Sequence, residues 1–151
     1  MKAFVAKWLA LGLGSGLAPK APGTFGTLAA VPLFLLLQPL PLWGYALATL
    51  LVCLVGIWAC GEYSRALGVH DHGSIVWDEV AGYLITMMFA PPGWLWVVIG
   101  FVLFRLFDIW KPWPIGWLDA KVHGGLGIML DDMLAGVFAS AVLLLLVWGL
   151  L

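Results

Sequence analysis

From Leu42 to Gly61, and again from Met133 to Leu151, the chain runs without a charged side chain. Each run matches the ~20 apolar residues that carry a helix across a bilayer. A helix that is apolar all round must be buried all round, and in water the rest of this chain is a poor wrapper. Only 10 % of its residues are charged and 64 % are hydrophobic, against about 25 % and about 45–50 % in soluble domains. The expectation is an all-α integral membrane helical bundle, with residues 1–151 forming a single membrane-embedded domain.

Gly and Pro clusters divide the chain. A Gly/Pro-rich loop spans Gly12 to Gly26. Helices are expected at 27–38, stopped by Pro39-Leu40-Pro41, and at 42–67. A polar loop, Gly68 to Gly73, holds His70-Asp71-His72, and Ser74 can cap a helix running to Ala90. Pro91-Pro92-Gly93 precedes a helix at 94–110, and Pro112 and Pro114 open a Trp-rich loop reaching Gly127. A last helix starts near Asp131 and runs to Leu151. That makes about four to six helices, some short or re-entrant. Met1 to Ala10 reads as an amphipathic N-terminal interfacial helix with Lys2 and Lys7 toward headgroups. Lys7 within the apolar stretch and Pro19 after Ala18 argue against a cleaved signal peptide. Cys53 and Cys60 sit two turns apart on one helix, about 10 Å of rise, too far for a disulfide.

If the turns alternate between two sides of a membrane, the loops near 12–26, 62–77 and 105–130 share one side. Pro39–Pro41, Pro91–Gly93 and the C-terminus take the other. All Lys and Arg then face one compartment, which the positive-inside rule makes the cytoplasm. Trp43, Trp94, Trp96 and Trp148 on one side, and Trp8, Trp77, Trp110, Trp113 and Trp117 on the other, read as interfacial belts. The segments near 27–38 and 78–90 are too short to cross unaided, so their polar ends are expected below the headgroup plane, buried against protein.

Against this charge-poor background, Asp78, Glu79, Asp108, Asp131 and Asp132 stand out. Single carboxylates at helix N-termini are explained by the macrodipole. Two adjacent pairs beside a membrane point instead to function. Converged carboxylates repel one another and any phosphate, and a hard divalent cation with oxygen ligands, Mg2+ above all, resolves both problems. Asp78 and Asp132 are the leading catalytic candidates, acting through the metal. Gly82 and Gly136 lie one turn beyond them on the same faces, where they allow helices to approach closely. Lys20 and Thr24 lie on a Gly-rich loop entering a helix, a setting that cradles phosphate. Arg105 and Lys111 add charge for the same oxygens. His72 is placed to protonate a leaving alkoxide. His70-Asp71-His72 offers no third nearby ligand for zinc, and His123 precedes Gly124-Gly125. A net charge of −1 leaves no basic footprint for nucleic acid.

Four segments together resemble the phosphatidylglycerophosphatase A family: Gly14 to Thr24, Val69 to Glu79, Phe104 to Pro114, and His123 to Asp132. They follow in order over nearly the whole chain. The resemblance implies a helical bundle in the bacterial inner (cytoplasmic) membrane. It also implies Mg2+-dependent hydrolysis of phosphatidylglycerophosphate to phosphatidylglycerol and inorganic phosphate, at a site facing the cytoplasm. The residues fit that reaction. Some of Asp78, Glu79, Asp108, Asp131 and Asp132 hold the metal, while Lys20, Thr24, Arg105 and Lys111 bind phosphoryl oxygens. Attack by water and by an aspartate, through an aspartyl-phosphate, both fit.

Three rivals fare worse. Transfer of a phosphatidyl group from a CDP-activated lipid resembles Asp-Gly-x-x-Ala-Arg followed by Gly-x-x-x-Asp-x-x-x-Asp, which is absent. So is the Pro-Ser-Gly-His of histidine-nucleophile lipid phosphatases. An ion-conducting protein would place ionisable groups at mid-membrane or on both sides; here they gather at one.

Overall fold

The computed structural model describes residues 2–11, 22–68, 76–121 and 124–150. Among them it contains seven helices and no strand: α1 (Lys2–Ala10), α2 (Pro22–Leu37), α3 (Leu42–Leu67), α4 (Trp77–Thr86), α5 (Trp94–Trp110), α6 (Ile115–Lys121) and α7 (Gly124–Leu150). The all-α expectation holds, with six helices after the N-terminal one, the upper end of the expected range. Leu42–Ala66 and Gly124–Gly149 are long and apolar enough to cross a membrane, and only 28 % and 39 % of their apolar windows is buried inside the molecule. A soluble core helix would be mostly buried. Leu36, Trp43, Leu145 and Trp148 are all exposed, as expected of a lipid-facing surface.

The helix α7 forms the spine, packing against α3, α4, α5 and α6. The helix α4 is too short to span a bilayer and lies against α2, α3, α5 and α7. Nearly all its residues are buried, Asp78 and Glu79 included. Three side-chain hydrogen bonds fix it. Trp77 Nε1 donates to the Val52 carbonyl at 2.9 Å. The Tyr45 hydroxyl donates to the Leu84 carbonyl at 2.6 Å, and the Tyr83 hydroxyl to the Val97 carbonyl at 3.1 Å. Each satisfies a polar group that would be costly to bury alone. Phe34, Tyr45, Tyr83, Trp96 and Phe104 fill the core around them.

Several helix boundaries depart from the sequence expectation. The helix α2 opens at Pro22, not at residue 27; proline is pre-set for a first helical position, so Thr24 lies in the first turn rather than on a loop. The helix α4 opens at Trp77, and no side chain caps it. The Val76 N–H instead bonds the Ala10 carbonyl at 2.8 Å, so α1 defines where α4 begins. At its other end α4 stops at Thr86, not Ala90; Pro91 and Pro92 disfavour helical backbone just before them. The expected loop at 112–127 contains α6, and α7 starts at Gly124 rather than near Asp131. The reason is a close helix crossing: a Cβ on Gly125 would collide with the Ile57 carbonyl oxygen of α3. Glycine, read from sequence as a breaker, is here a contact surface.

Two aromatic assignments change. Trp77 braces α4 against α3 instead of lining an interface, and Trp96 is buried. The helix α1 buries Ala6 and Ala10, with Leu11 just beyond it buried as well, and packs on α3, so it is docked against the bundle. Cys53 and Cys60 are buried, and no disulfide joins them.

Candidate metal and phosphate site

The N-terminus of α4, the C-terminal end of α5 and the first turns of α7 meet at one end of the bundle. Glycine makes the meeting possible. A Cβ on Gly136 would lie 2.5 Å from the Gly82 carbonyl oxygen, and one on Gly82 would lie 2.8 Å from the Asp132 carbonyl oxygen and against the Phe104 ring. The backbones of α4 and α7 therefore touch one turn below Asp78 and Asp132. That contact draws together carboxylates from separate helices.

Five carboxylates converge: Asp78, Glu79, Asp108, Asp131 and Asp132 are 2–8 % exposed. They form two overlapping groups. In each of Asp78, Asp131, Asp132 and Glu79, Asp108, Asp132, one oxygen per residue lies within 4.8 Å of the others. Two unit charges that close repel by about 3 kcal/mol even at an effective dielectric of about 20. The macrodipole explanation fits Asp78 and Glu79, which lie in the first turn of α4. It does not fit Asp131 and Asp132, because α7 begins at Gly124, about two turns earlier. The expectation that Asp132 opens its helix is thus corrected: it projects from the helix body.

Two cations partly offset the charge. Arg105 Nη1 donates to Glu79 Oε2 at 3.2 Å, and the same nitrogen is paired with Asp108. Lys111 Nζ donates to Asp131 Oδ2 at 2.8 Å. Burial by itself lowers the Lys111 pKa, but the Asp131 hydrogen bond and the charges of Asp131, Asp132 and Asp108 outweigh it. The ammonium is held above the usual lysine value. Lys111 closes α5 in left-handed backbone, φ 52°, a region costing a non-glycine residue about 1–2 kcal/mol. Local sequence would favour glycine there; the ion pair with Asp131 is what lysine contributes. The Asp78 and Asp131 carboxylates also each accept the next residue's backbone N–H at 3.0 Å.

Among the described residues three buried side-chain polar atoms have no hydrogen-bond partner, and two of them, Asp132 Oδ2 and Arg105 Nε, belong to this site. An orphaned carboxylate oxygen inside an oxygen-only cluster is what a hard divalent cation takes. The buried acidic groups can therefore hold a metal ion. The orphaned guanidinium nitrogen is a buried donor without an acceptor.

The sequence singled out all five carboxylates, Arg105 and Lys111, and the structure brings all seven together. Thr24 is half-buried in the first turn of α2. A Cβ on Gly26, two residues on, would lie 2.6 Å from Val76 Cβ, so the start of α2 adjoins the start of α4. Lys20, His70, Asp71, His72 and His123 lie outside the described residues. Sequence reasoning missed the positioning roles of Trp77 and Gly125. The Gly124-Gly125-Leu126-Gly127 run was the one signal for Gly125, and it equally describes a loop.

Below this site an apolar groove of about 500 Å³ runs between α2 and α5, lined by Leu28, Val31, Leu35, Val97, Val98 and Phe101. Leu28 and Phe101 lie one turn from Thr24 and Arg105 on the same helix faces.

Residues 8–147 match the model of the family described as phosphatidylglycerophosphatase A. The chain is 52 % identical over 136 residues, 89 % of its length and 79 % of the relative's, to phosphatidylglycerophosphatase A of Escherichia coli (strain K12). Against phosphatidylglycerophosphatase A of Haemophilus influenzae (strain ATCC 51907 / DSM 11121 / KW20 / Rd), identity is 46 % over 136 residues, covering 89 % and 83 % of the two chains. A Bacteroides thetaiotaomicron protein, provisionally named a phosphatidylinositol-3-phosphatase, is 37 % identical over 153 residues, covering 96 % and 95 %. No solved structure matches.

Proposed function

The chain belongs to the phosphatidylglycerophosphatase A family, and from that premise we propose that it hydrolyses phosphatidylglycerophosphate to phosphatidylglycerol and inorganic phosphate, with Mg2+, on the cytoplasmic side of a bacterial inner membrane. It is a lipid phosphatase of phospholipid biosynthesis. The whole chain, 1–151, acts as one membrane-embedded catalytic domain, since the site draws on α4, α5 and α7 together. The observation that carries the reading is five buried carboxylates interlocked with Arg105 and Lys111 at one end of an otherwise charge-poor bundle.

Asp78, Glu79, Asp108, Asp131 and Asp132 hold the metal, with Asp78 and Asp132 central to catalysis. When bound, the metal supplies charge neutralisation for phosphoryl oxygens and Lewis acidity toward water. Arg105, anchored by Glu79 and Asp108, presents its free Nε to a phosphoryl oxygen. Lys111 adds positive charge from the Asp131 side. Lys20 and Thr24 bind further oxygens at the start of α2. These contacts act by positioning and charge stabilisation. The P–O bond to glycerol breaks as a P–O bond to water forms, and His72 gives the leaving alkoxide its proton. The groove along α2 and α5 beds an acyl chain, placing the headgroup at Arg105.

The test is phosphate release by detergent-purified protein from phosphatidylglycerophosphate, phosphatidylinositol 3-phosphate and phosphatidic acid. The expected result is fastest turnover of the first, abolished by chelator and restored by Mg2+. Faster turnover of the inositol lipid would assign a different headgroup, and full activity in excess chelator would remove the metal.

A further inference from the structure

We propose that the site holds a pair of divalent cations sharing Asp132, with Asp78 and Asp131 completing one position and Glu79 and Asp108 the other. The inference rests on the metal-dependent reading above and goes beyond it in number and arrangement. Its first support is geometric. The buried carboxylates can be grouped into two triads whose common member is Asp132. A carboxylate has two oxygens, and Asp132 Oδ2 is buried without a partner. Asp132 is 2 % exposed, so water from bulk does not satisfy that oxygen. Paired metal sites in phosphatases and nucleases hold their ions about 3.5–4 Å apart, a spacing a shared carboxylate accommodates.

The second support is charge. Five carboxylates against Arg105 and Lys111 leave three negative charges in a buried site. One divalent cation leaves the site still negative, facing a phosphate monoester of like sign. A second turns the site positive. The protein's own cations are divided the same way: Arg105 sits on the Glu79 and Asp108 side, and Lys111 on the Asp131 side. Each position thus has two carboxylates of its own, one basic neighbour and a half-share of Asp132. The orphaned Arg105 Nε then marks where a phosphoryl oxygen approaches the Glu79–Asp108 position. A bridging pair would neutralise oxygens on both sides of the phosphorus.

The experiment uses the full chain in detergent, with Mn2+ alone as probe and no lipid. Bound Mn2+ is counted by equilibrium dialysis, and its low-temperature electron paramagnetic resonance spectrum is recorded. The expectation is a pair of Mn2+ per chain, with the multiline spectrum of exchange-coupled ions. Asp132→Asn should abolish the coupling. Glu79→Gln, which leaves Arg105 its Asp108 partner, should leave a single uncoupled ion. Circular dichroism and gel filtration confirm that both variants fold. A single Mn2+ per chain with an isolated-ion spectrum overturns the pair, as does coupling that survives Asp132→Asn. If phosphate release still requires metal in that case, the phosphatase reading stands without the pair. No bound Mn2+, with phosphate release unaffected by chelator, overturns both: the carboxylates then share protons instead.

Discussion

Glu62 with Arg65 on α3, and Arg105 with Asp108 on α5, are the same local motif, an acid and an arginine three residues apart. Their surroundings separate them. The Arg65 side chain is 71 % exposed and pairs with Glu62 on its own helix; that of Arg105 is 17 % exposed, and it also reaches Glu79 on another helix. An exposed pair holds two flexible side chains against solvent and salt and contributes about 0–1 kcal/mol. Removing one partner of a buried pair leaves an uncompensated charge and costs about 3–5 kcal/mol. Spacing alone does not reveal which kind of pair a sequence encodes; the helix opposite decides.

The sharpest test of this contrast is Arg105→Ala. It strands Glu79 and Asp108 and removes the free Nε. Stability should fall by about 3–5 kcal/mol, and the maximal rate by about 100-fold or more. Thermal unfolding in detergent and phosphate release measure the two effects. A loss of stability below about 1 kcal/mol would place Arg105 with Arg65, despite its burial.

Gly136→Ala probes the same region without touching a charge. Its Cβ would lie 2.5 Å from the Gly82 backbone, so α4 and α7 must part, at about 1–3 kcal/mol. The Mg2+ midpoint for activity should rise by about 10–100-fold, the range seen when supports of metal ligands are lost. An unchanged midpoint would mean that the carboxylates do not depend on this crossing. Gly149→Ala, where a Cβ meets nothing within 4 Å, is the control.

Val98→Trp fills the groove below Arg105. For a long-chain lipid KM should rise by about tenfold, the order of 1.4 kcal/mol, with kcat little changed because acyl contacts serve ground and transition state alike. A short-chain, water-soluble phosphate ester should be turned over normally. Equal effects on both substrates would separate the groove from lipid binding.

The smallest effect should follow Arg65→Ala: stability within about 1 kcal/mol, and turnover within about twofold. A large drop in activity would move the Glu62–Arg65 end of α3 into the site.

Much of this arrangement was legible in the sequence. Charge-free runs from Leu42 and Met133 specified the long apolar helices, because a buried helix needs no polar face. The acidic pairs Asp78-Glu79 and Asp131-Asp132, with Arg105, Asp108 and Lys111, stood out because ionisable groups beside a membrane are costly unless used. The spacing of Gly82 behind Asp78 and Gly136 behind Asp132 announced the α4–α7 crossing. The start of α7 did not follow from local sequence. Gly124, Gly125 and Gly127 have poor helix propensity, and a backbone contact with Ile57 on α3 outweighs that preference.

What the chain determined by itself was therefore which groups are present and how they recur along each helix: apolar length, acidic pairs, small residues one turn away, and family motifs in order. Only the tertiary structure decided how those groups are shared. It set Arg105 on Glu79 and Asp108, Lys111 on Asp131, and Asp132 between two triads. Periodicity along one helix reports its own faces. The register between α4, α5 and α7 depends instead on contacts between residues far apart in sequence, at glycines where one helix backbone rests on another.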